Sequence, residues 1–265
     1  MRFGKPSRTT HGNSSTTDHS PLHMTPTLLL AACVVAAASA LQGTVGIGLG
    51  MVAAPILLLI APQLVPAPLL MANFALALLV SLRDRRGMRI AEIGPAIVGR
   101  FPGALVGAAL VAWLAAGVLD VVLGSLLLGS VVLATLQRTA LPMTRRNLVG
   151  AGFVSGITGT AVSVGGPPIA LVVRSLEGER LRGTLSGYFF VGGTLSLIVL
   201  AAYGQIGRAE LATLTFMVPA TLLGYAASTP LIGRVRPEGV RTAILVLSGA
   251  TSALVLARGL LRLLS

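Results

Sequence analysis

Leu41-Gln42-Gly43-Thr44-Val45-Gly46-Ile47-Gly48-Leu49-Gly50-Met51-Val52-Ala53-Ala54-Pro55 lies inside a run of 55 residues, Thr27 to Ser81, that contains no Asp, Glu, Lys or Arg. One helical crossing of a bilayer takes roughly 20 apolar residues. A run this long holds at least two passes, or one pass and a segment folded back on itself. An apolar helix of a soluble protein would stop after about 10–14 residues. Proline lacks an N–H and glycine admits left-handed dihedrals. Gly43, Gly46, Gly48 and Gly50 ahead of Pro55 therefore put an interruption where hydrocarbon offers the backbone no water.

The whole chain has the same character. It has 265 residues, 54% hydrophobic and 11% charged, where soluble domains carry about 25% charged residues. The net charge of +12 would suggest nucleic acid in a soluble protein, but the arginines cluster in short connectors between apolar runs, as helix-flanking residues do near anionic headgroups. No nucleic-acid module is present as a sequence pattern. Cys33 is the single cysteine, which excludes an internal disulfide, a zinc cluster and a CxxC pair. It reads as a lipid-facing or packing residue. All three histidines, His11, His19 and His23, fall in the polar segment 1–26, expected to be a disordered tail, with Met24 as an alternative start of translation.

Apolar segments run over about 28–60, 68–82, 93–116, 118–136, 148–173, 184–203, 211–228 and 241–257. The expected fold is an all-α polytopic membrane protein of about eight apolar segments in two repeats. Gly43 and Gly46, followed nine residues later by Pro55, match Gly156 and Gly159, followed nine residues later by Pro168. Pro102 lies five residues before Gly107 as Pro219 lies five before Gly224. The offsets are 113 and 117 residues, which divides the chain into a first repeat at 27–136, a basic connector at 137–147, a second repeat at 148–258 and a short tail at 259–265.

The second repeat carries the stronger break. Gly165, Gly166, Pro167 and Pro168 are consecutive, and two prolines after two glycines interrupt a helix. Gly152 and Gly156 have the spacing of close helix packing, which leaves the Gly-Gly-Pro-Pro run unexplained. If every segment crosses once, the arginine-bearing connectors after 173 and after 228 fall opposite those after 82 and after 136. That conflicts with the cytoplasmic excess of Lys and Arg. If 148–173 folds back at Gly165–Gly166, all four connectors share one side. Segment 28–60 then does likewise, since 33 residues of unbroken helix would span about 50 Å.

Irregular backbone within a bilayer is tolerated only against protein or a water-filled cavity, and breaks at matching positions of two repeats point to a transporter's substrate site. Helix starts at such breaks can receive an anion. Candidate pathway residues are Gln42, Gly43, Thr44, Gly46, Gly48, Gly50 and Pro55 at the first break, and Gly156, Thr158, Gly159, Thr160, Ser163, Gly165, Gly166, Pro167 and Pro168 at the second. Asn73 is a candidate partner. Each hydroxyl could instead bond back to its own helix. Arg100, eight residues beyond Glu92, either draws an anion inward or is a snorkelling residue paired with headgroups or with Glu92.

At these stretches the sequence resembles the TauE/SafE family of sulfite exporters and small-anion permeases, over about residues 28–257. The resemblance rests on Leu41–Gly50 leading to Pro55-Ile56-Leu57-Leu58-Leu59, and on Gly152-Phe153-Val154-Ser155-Gly156-Ile157-Thr158-Gly159 leading to Gly165–Leu171. The first repeat departs from the family pattern, with Gly48-Leu49-Gly50-Met51 where adjacent glycines are common. The resemblance implies secondary transport of small anions, sulfur-containing ones such as sulfite, thiosulfate or sulfonates among them, in the cell inner membrane, with membrane lipids and a small anionic solute as partners; export is the expected direction. No cofactor, metal or nucleic acid is implied. Glu92 and Asp120 are the only acids between Arg89 and Arg174, so the constellation of an intramembrane enzyme is not expected. A duplicated drug or metabolite exporter and a non-transporting scaffold are the alternatives.

Overall fold

A computed structural model describes residues 25–136, 141–173, 175–232, 234 and 237–264. The polar tail with its histidines and Met24 lies outside the described residues, as do Arg138, Arg174 and Arg236. Among those described, the regular structure is entirely helical. The order is α1 (Pro26–Val45), α2 (Leu49–Ile60), α3 (Ala67–Arg83), α4 (Gly94–Trp113), α5 (Ala116–Thr135), α6 (Arg145–Val162), α7 (Gly166–Val172), α8 (Gly178–Ala202), α9 (Arg208–Ala212), α10 (Leu214–Leu231) and α11 (Pro237–Leu264). Six of them, α1, α4, α5, α8, α10 and α11, are long and apolar enough to cross a membrane, while α2 and α3 are shorter apolar helices. The protein is a polytopic helical membrane bundle.

Its outside is apolar, and its apolar inside also holds small polar side chains. Val98, Trp113, Leu223 and Val246 face outward, each at least two-thirds exposed, whereas Ser39, Ser155, Thr160, Thr184 and Ser196 are buried. Lipid gives no hydrophobic drive for helix association, so packing depends on close approach of small residues. The α4–α6 contact follows this rule. Side chains on Gly99 and Gly103 would overlap the carbonyls of Val149 and Phe153, and side chains on Gly152 and Gly156 would overlap those of Ala96 and Arg100. The spacing of four at Gly152/Gly156 thus serves packing, and its partner is the same spacing on α4.

Both Gly/Pro-rich stretches are interrupted. Thr25 caps α1 by accepting from the Leu28 N–H, and α1 ends where Gly46 turns left-handed at φ 93°. Thr144 caps α6 by accepting from the Asn147 N–H, and α6 ends at Ser163, itself left-handed at φ 59°. Pro167 and Pro168 occupy the opening positions of α7, where a missing N–H is harmless.

The segment containing α6 and α7 leaves one end of the bundle and returns to it. Leu141 N–H, just before α6, donates to the Leu171 carbonyl near the end of α7 at 3.1 Å. Met143, Leu148, Val172, Leu176, Leu181 and Ile93 share one apolar cluster there. Asp84 pairs with Arg182 at 2.9 Å and Glu92 with Arg180 at 3.0 Å. Arg83 reaches Ser228, and Arg241 donates to the Ala134 carbonyl at 2.7 Å. The described parts of the four arginine-bearing connectors therefore lie at a single end. Residues 29–36 of α1 pack against residues 215–223 of α10 at the other end, in a groove that includes exposed Cys33. Arg262 in the last turn of α11 pairs with Asp120 near the start of α5.

Candidate functional site

The two interruptions meet. A side chain on Gly50, in the first turn of α2, would overlap the Ser163 carbonyl that closes α6. Around this contact lies a small cleft lined by Gln42, Ile47, Gly48, Gly50, Met51, Asn73, Ser163, Val164, Gly165, Gly166 and Phe189. Its free volume is about 10 Å³, room for about one water.

Gln42 organises the first break. Its Oε1 accepts from the Leu49 N–H at 2.9 Å, and its Nε2 donates to Asn73 Oδ1 at 2.7 Å. One of the orphan donors at the start of α2 is thereby satisfied across the break, and α3 is tied to it. Ser163 Oγ donates to the Pro66 carbonyl at 3.0 Å, which holds the second break against the segment preceding α3.

Arg100 lies behind the second break and is buried, only 2% exposed. Neither snorkelling nor pairing with Glu92 occurs, because Glu92 bonds to Arg180 and Arg89 instead. Arg100 Nη1 donates to Ser155 Oγ at 2.9 Å, and Ser155 Oγ donates to the Gly165 carbonyl at 2.6 Å. The guanidinium carbon stands 5.0 Å from the ring centre of Tyr188. Glycines make room for it: a Cβ on Gly159 would sit 2.8 Å from Nη2, one on Gly165 2.9 Å from Nη1, and one on Gly192 would overlap Nε. Among the described residues no carboxylate lies within ion-pair distance of Arg100. Its Nε and the Tyr188 hydroxyl are buried without hydrogen-bond partners. A guanidinium is always charged, and a buried charge without a partner is costly. Oxyanions are the chemical complement of such a group.

Of the residues anticipated from sequence, Gln42, Gly48, Gly50, Asn73, Ser163, Gly165 and Gly166 line the cleft. Arg100 and Gly159 stand directly behind it. Gly46 supplies the left-handed turn, and Pro167 and Pro168 start α7. Others are occupied elsewhere. Gly43 packs on Ser228 and Gly156 on Arg100's backbone. Thr44 and Thr158 bond back to Ala40 and Val154 in their own helices, and Thr160 donates to Ser196 at 2.8 Å. Pro55 is buried within α2. Ile47, Met51, Val164 and Phe189 line the cleft unannounced by any polar or Gly/Pro signal, and Ser155 and Tyr188 depend on the α4–α6–α8 packing.

The family model described as Sulfite exporter TauE/SafE matches residues 30–255, within two residues at each end of the span expected from the motifs. No curated protein and no solved structure matches the chain.

Proposed function

The chain belongs to the sulfite exporter TauE/SafE family, and from that premise we propose that it is a secondary carrier of small anions, sulfur oxyanions and sulfonates among them, that works in the cell inner membrane. One observation carries the proposal: Arg100 is a buried guanidinium with no carboxylate in ion-pair distance among the described residues and with an unpartnered Nε. It is next to Gly165, which lines the cleft between the two breaks. A mobile anion is the missing counter-charge.

The 10 Å³ cleft is too small for a sulfite or thiosulfate ion. Passage then requires the elements carrying the two breaks to separate, and the breaks are where helices can hinge. The duplicated layout read from the Gly/Pro offsets is part of the same proposal, with the two copies rocking against each other about the site. Transport, not catalysis, is the work assigned to these residues.

Export follows from the membrane potential. Moving one charge through about 100 mV is worth roughly 2.3 kcal/mol, so a doubly charged oxyanion leaving an inside-negative cell gains about 4.6 kcal/mol. No protein-bound cation is then needed to drive efflux. The arginine-bearing end is assigned to the cytoplasm by the excess of Lys and Arg on that side. Efflux and uptake of radiolabelled sulfite, thiosulfate and short sulfonates in reconstituted vesicles test the reading. Absence of protein-dependent flux of every one of them, in a preparation shown to be folded, rejects it.

A further inference from the structure

A second cluster of charge lies at the arginine-bearing end, beside the turn that follows α1 and borders the cleft. Asp84, which caps α3, is buried. Its Oδ1 accepts from Arg83 Nε at 3.2 Å and its Oδ2 from Arg182 Nε at 2.9 Å. Arg83 also donates through Nη2 to the Gly43 carbonyl at 2.6 Å and through Nη1 to Ser228 Oγ at 3.2 Å. One carboxylate and two guanidiniums thus tie together the end of α3, the start of α8, the last turns of α1 and the end of α10. A Cβ on Gly46 would lie 3.3 Å from Arg182 Cγ. Gly46 ends α1, and the residues that follow it, Ile47 and Gly48, line the cleft.

Charge does not balance in this cluster. Two permanent cations face one carboxylate, and among the described residues Asp84 is the only acid in ion-pair distance of either. A guanidinium recognises a sulfur oxyanion through the same N–H···O geometry by which it recognises a carboxylate. Pulling Arg182 away from Asp84 with nothing in exchange would weaken the pairing of a buried carboxylate and leave a part-buried guanidinium without an anion, which is unfavourable. An incoming oxyanion avoids that state by giving Arg182 a new anionic partner while Asp84 keeps its bond to Arg83 Nε, so no charge in the cluster is left alone.

We propose that Arg83 and Arg182 form a second oxyanion site at the mouth of the pathway, held by Asp84 when no solute is there. Exchange of the Asp84 carboxylate for the passing oxyanion loosens α3, α8 and α1 from one another and opens the cleft toward the arginine-bearing end. The use of the site in transport rests on the carrier reading. Occupancy of the site does not.

The two roles open to Asp84 give opposite signs. A competitor, once neutralised, leaves the arginines to the oxyanion, whereas a mere structural pin would loosen the site when lost. Thiosulfate binding to the purified full chain in detergent micelles, by titration calorimetry at fixed ionic strength, separates them, with folding checked by circular dichroism and gel filtration. Asp84→Asn is expected to bind thiosulfate roughly tenfold more tightly, and Arg182→Gln roughly tenfold more weakly. If Asp84→Asn does not fold, Arg182→Lys keeps the charge without the fork and is expected to bind more weakly than the wild type. Unchanged or weaker binding by folded Asp84→Asn overturns the proposal, as does unchanged binding by Arg182→Lys. Wild-type vesicles without flux but with this binding order reject the carrier reading and keep the mouth site. Flux with affinities unmoved by both substitutions keeps the carrier and rejects the mouth site.

Discussion

Gly50 touches Ser163 so closely that any side chain at position 50 would occupy the space of the Ser163 carbonyl oxygen. The first turn of α2 and the last turn of α6 are thus in backbone contact, although Gly50 and Ser163 are 113 positions apart in the chain. Gly50→Ala must push the two breaks apart. Overpacking of this kind costs about 1–3 kcal/mol, and a lowered midpoint of thermal unfolding is expected together with loss of anion flux. Gly150→Ala is the control, since nothing lies within 4 Å of a Cβ there. In helix α6 that change is expected to be neutral or to stabilise by up to about 1 kcal/mol.

Replacing Arg100 is expected to separate stability from function. Arg100→Met removes a buried charge that lacks a carboxylate, and loses one hydrogen bond to Ser155 and the contact with Tyr188. Relief of the charge, about 2.5–3.5 kcal/mol for an arginine in the middle of a membrane helix, outweighs those losses of about 1 kcal/mol each. Melting in detergent should shift upward by the equivalent of about 1 kcal/mol, while vesicle flux disappears. Thiosulfate should raise the melting temperature of the wild type more than that of the variant. Equal anion-induced shifts in both proteins would take Arg100 out of the binding site.

The location of the breaks, the fold-back of the segment read as 148–173 and the gathering of the described arginine connectors were legible in the sequence. Gly/Pro clusters and charge placement act locally, and they survive whatever the helices do next. The setting of Arg100 was not legible. In sequence its nearest acid is Glu92, but Glu92 lies in a 3₁₀ turn at Ile90–Ile93 ahead of α4 and is taken by Arg180, 88 positions away. Asp84 and Arg182 are 98 positions apart, and nothing in either local sequence announces the other. Gln42 was legible as a polar residue at the first break and Asn73 as a candidate partner. That they bond to each other depends on how α1 and α3 are rotated, which Gly/Pro spacing does not report.

That bond supports the third prediction. Gln42→Leu leaves the Leu49 N–H and the Asn73 amide without their partner. An abandoned buried polar group costs about 1–3 kcal/mol, and the loss should be greater than for Asn73→Leu, which leaves the bond to Leu49 in place. Hydrogen exchange at Leu49 distinguishes the two. Faster exchange is expected in Gln42→Leu alone.

Sidedness can be read with single cysteines in a Cys33→Ser background. Arg86 and Glu177 are exposed at the arginine-bearing end, and Arg208 is exposed after α8 at the other. Cysteines at 86 and 177 should react with an impermeant maleimide only after the cytoplasmic face is opened, and a cysteine at 208 should react in intact cells. Labelling of 86 and 177 from opposite faces would mean that α6 and α7 do not return to their starting side.

Gly192 supplies the most selective probe of the anion site, because what stands in the way of a side chain there is Arg100 itself. A Cβ on Gly192 would overlap Nε, with Cδ and Cζ also within reach, and all three are parts of a movable side chain rather than of backbone. Gly192→Ala can therefore be accommodated by turning the guanidinium away from Ser155, at the expense of its position and not of the helix packing. The expected result is a folded protein of near wild-type helicity whose half-saturating anion concentration rises about tenfold, the equivalent of about 1.4 kcal/mol. If that loss runs through Arg100, it is absent once Arg100 is gone. In an Arg100→Met background, Gly192→Ala should change thiosulfate binding to the chain by less than about 0.5 kcal/mol, a failure of additivity that residues in contact produce and separated ones do not. Full additivity of the two substitutions would show that position 192 acts on binding by some other route.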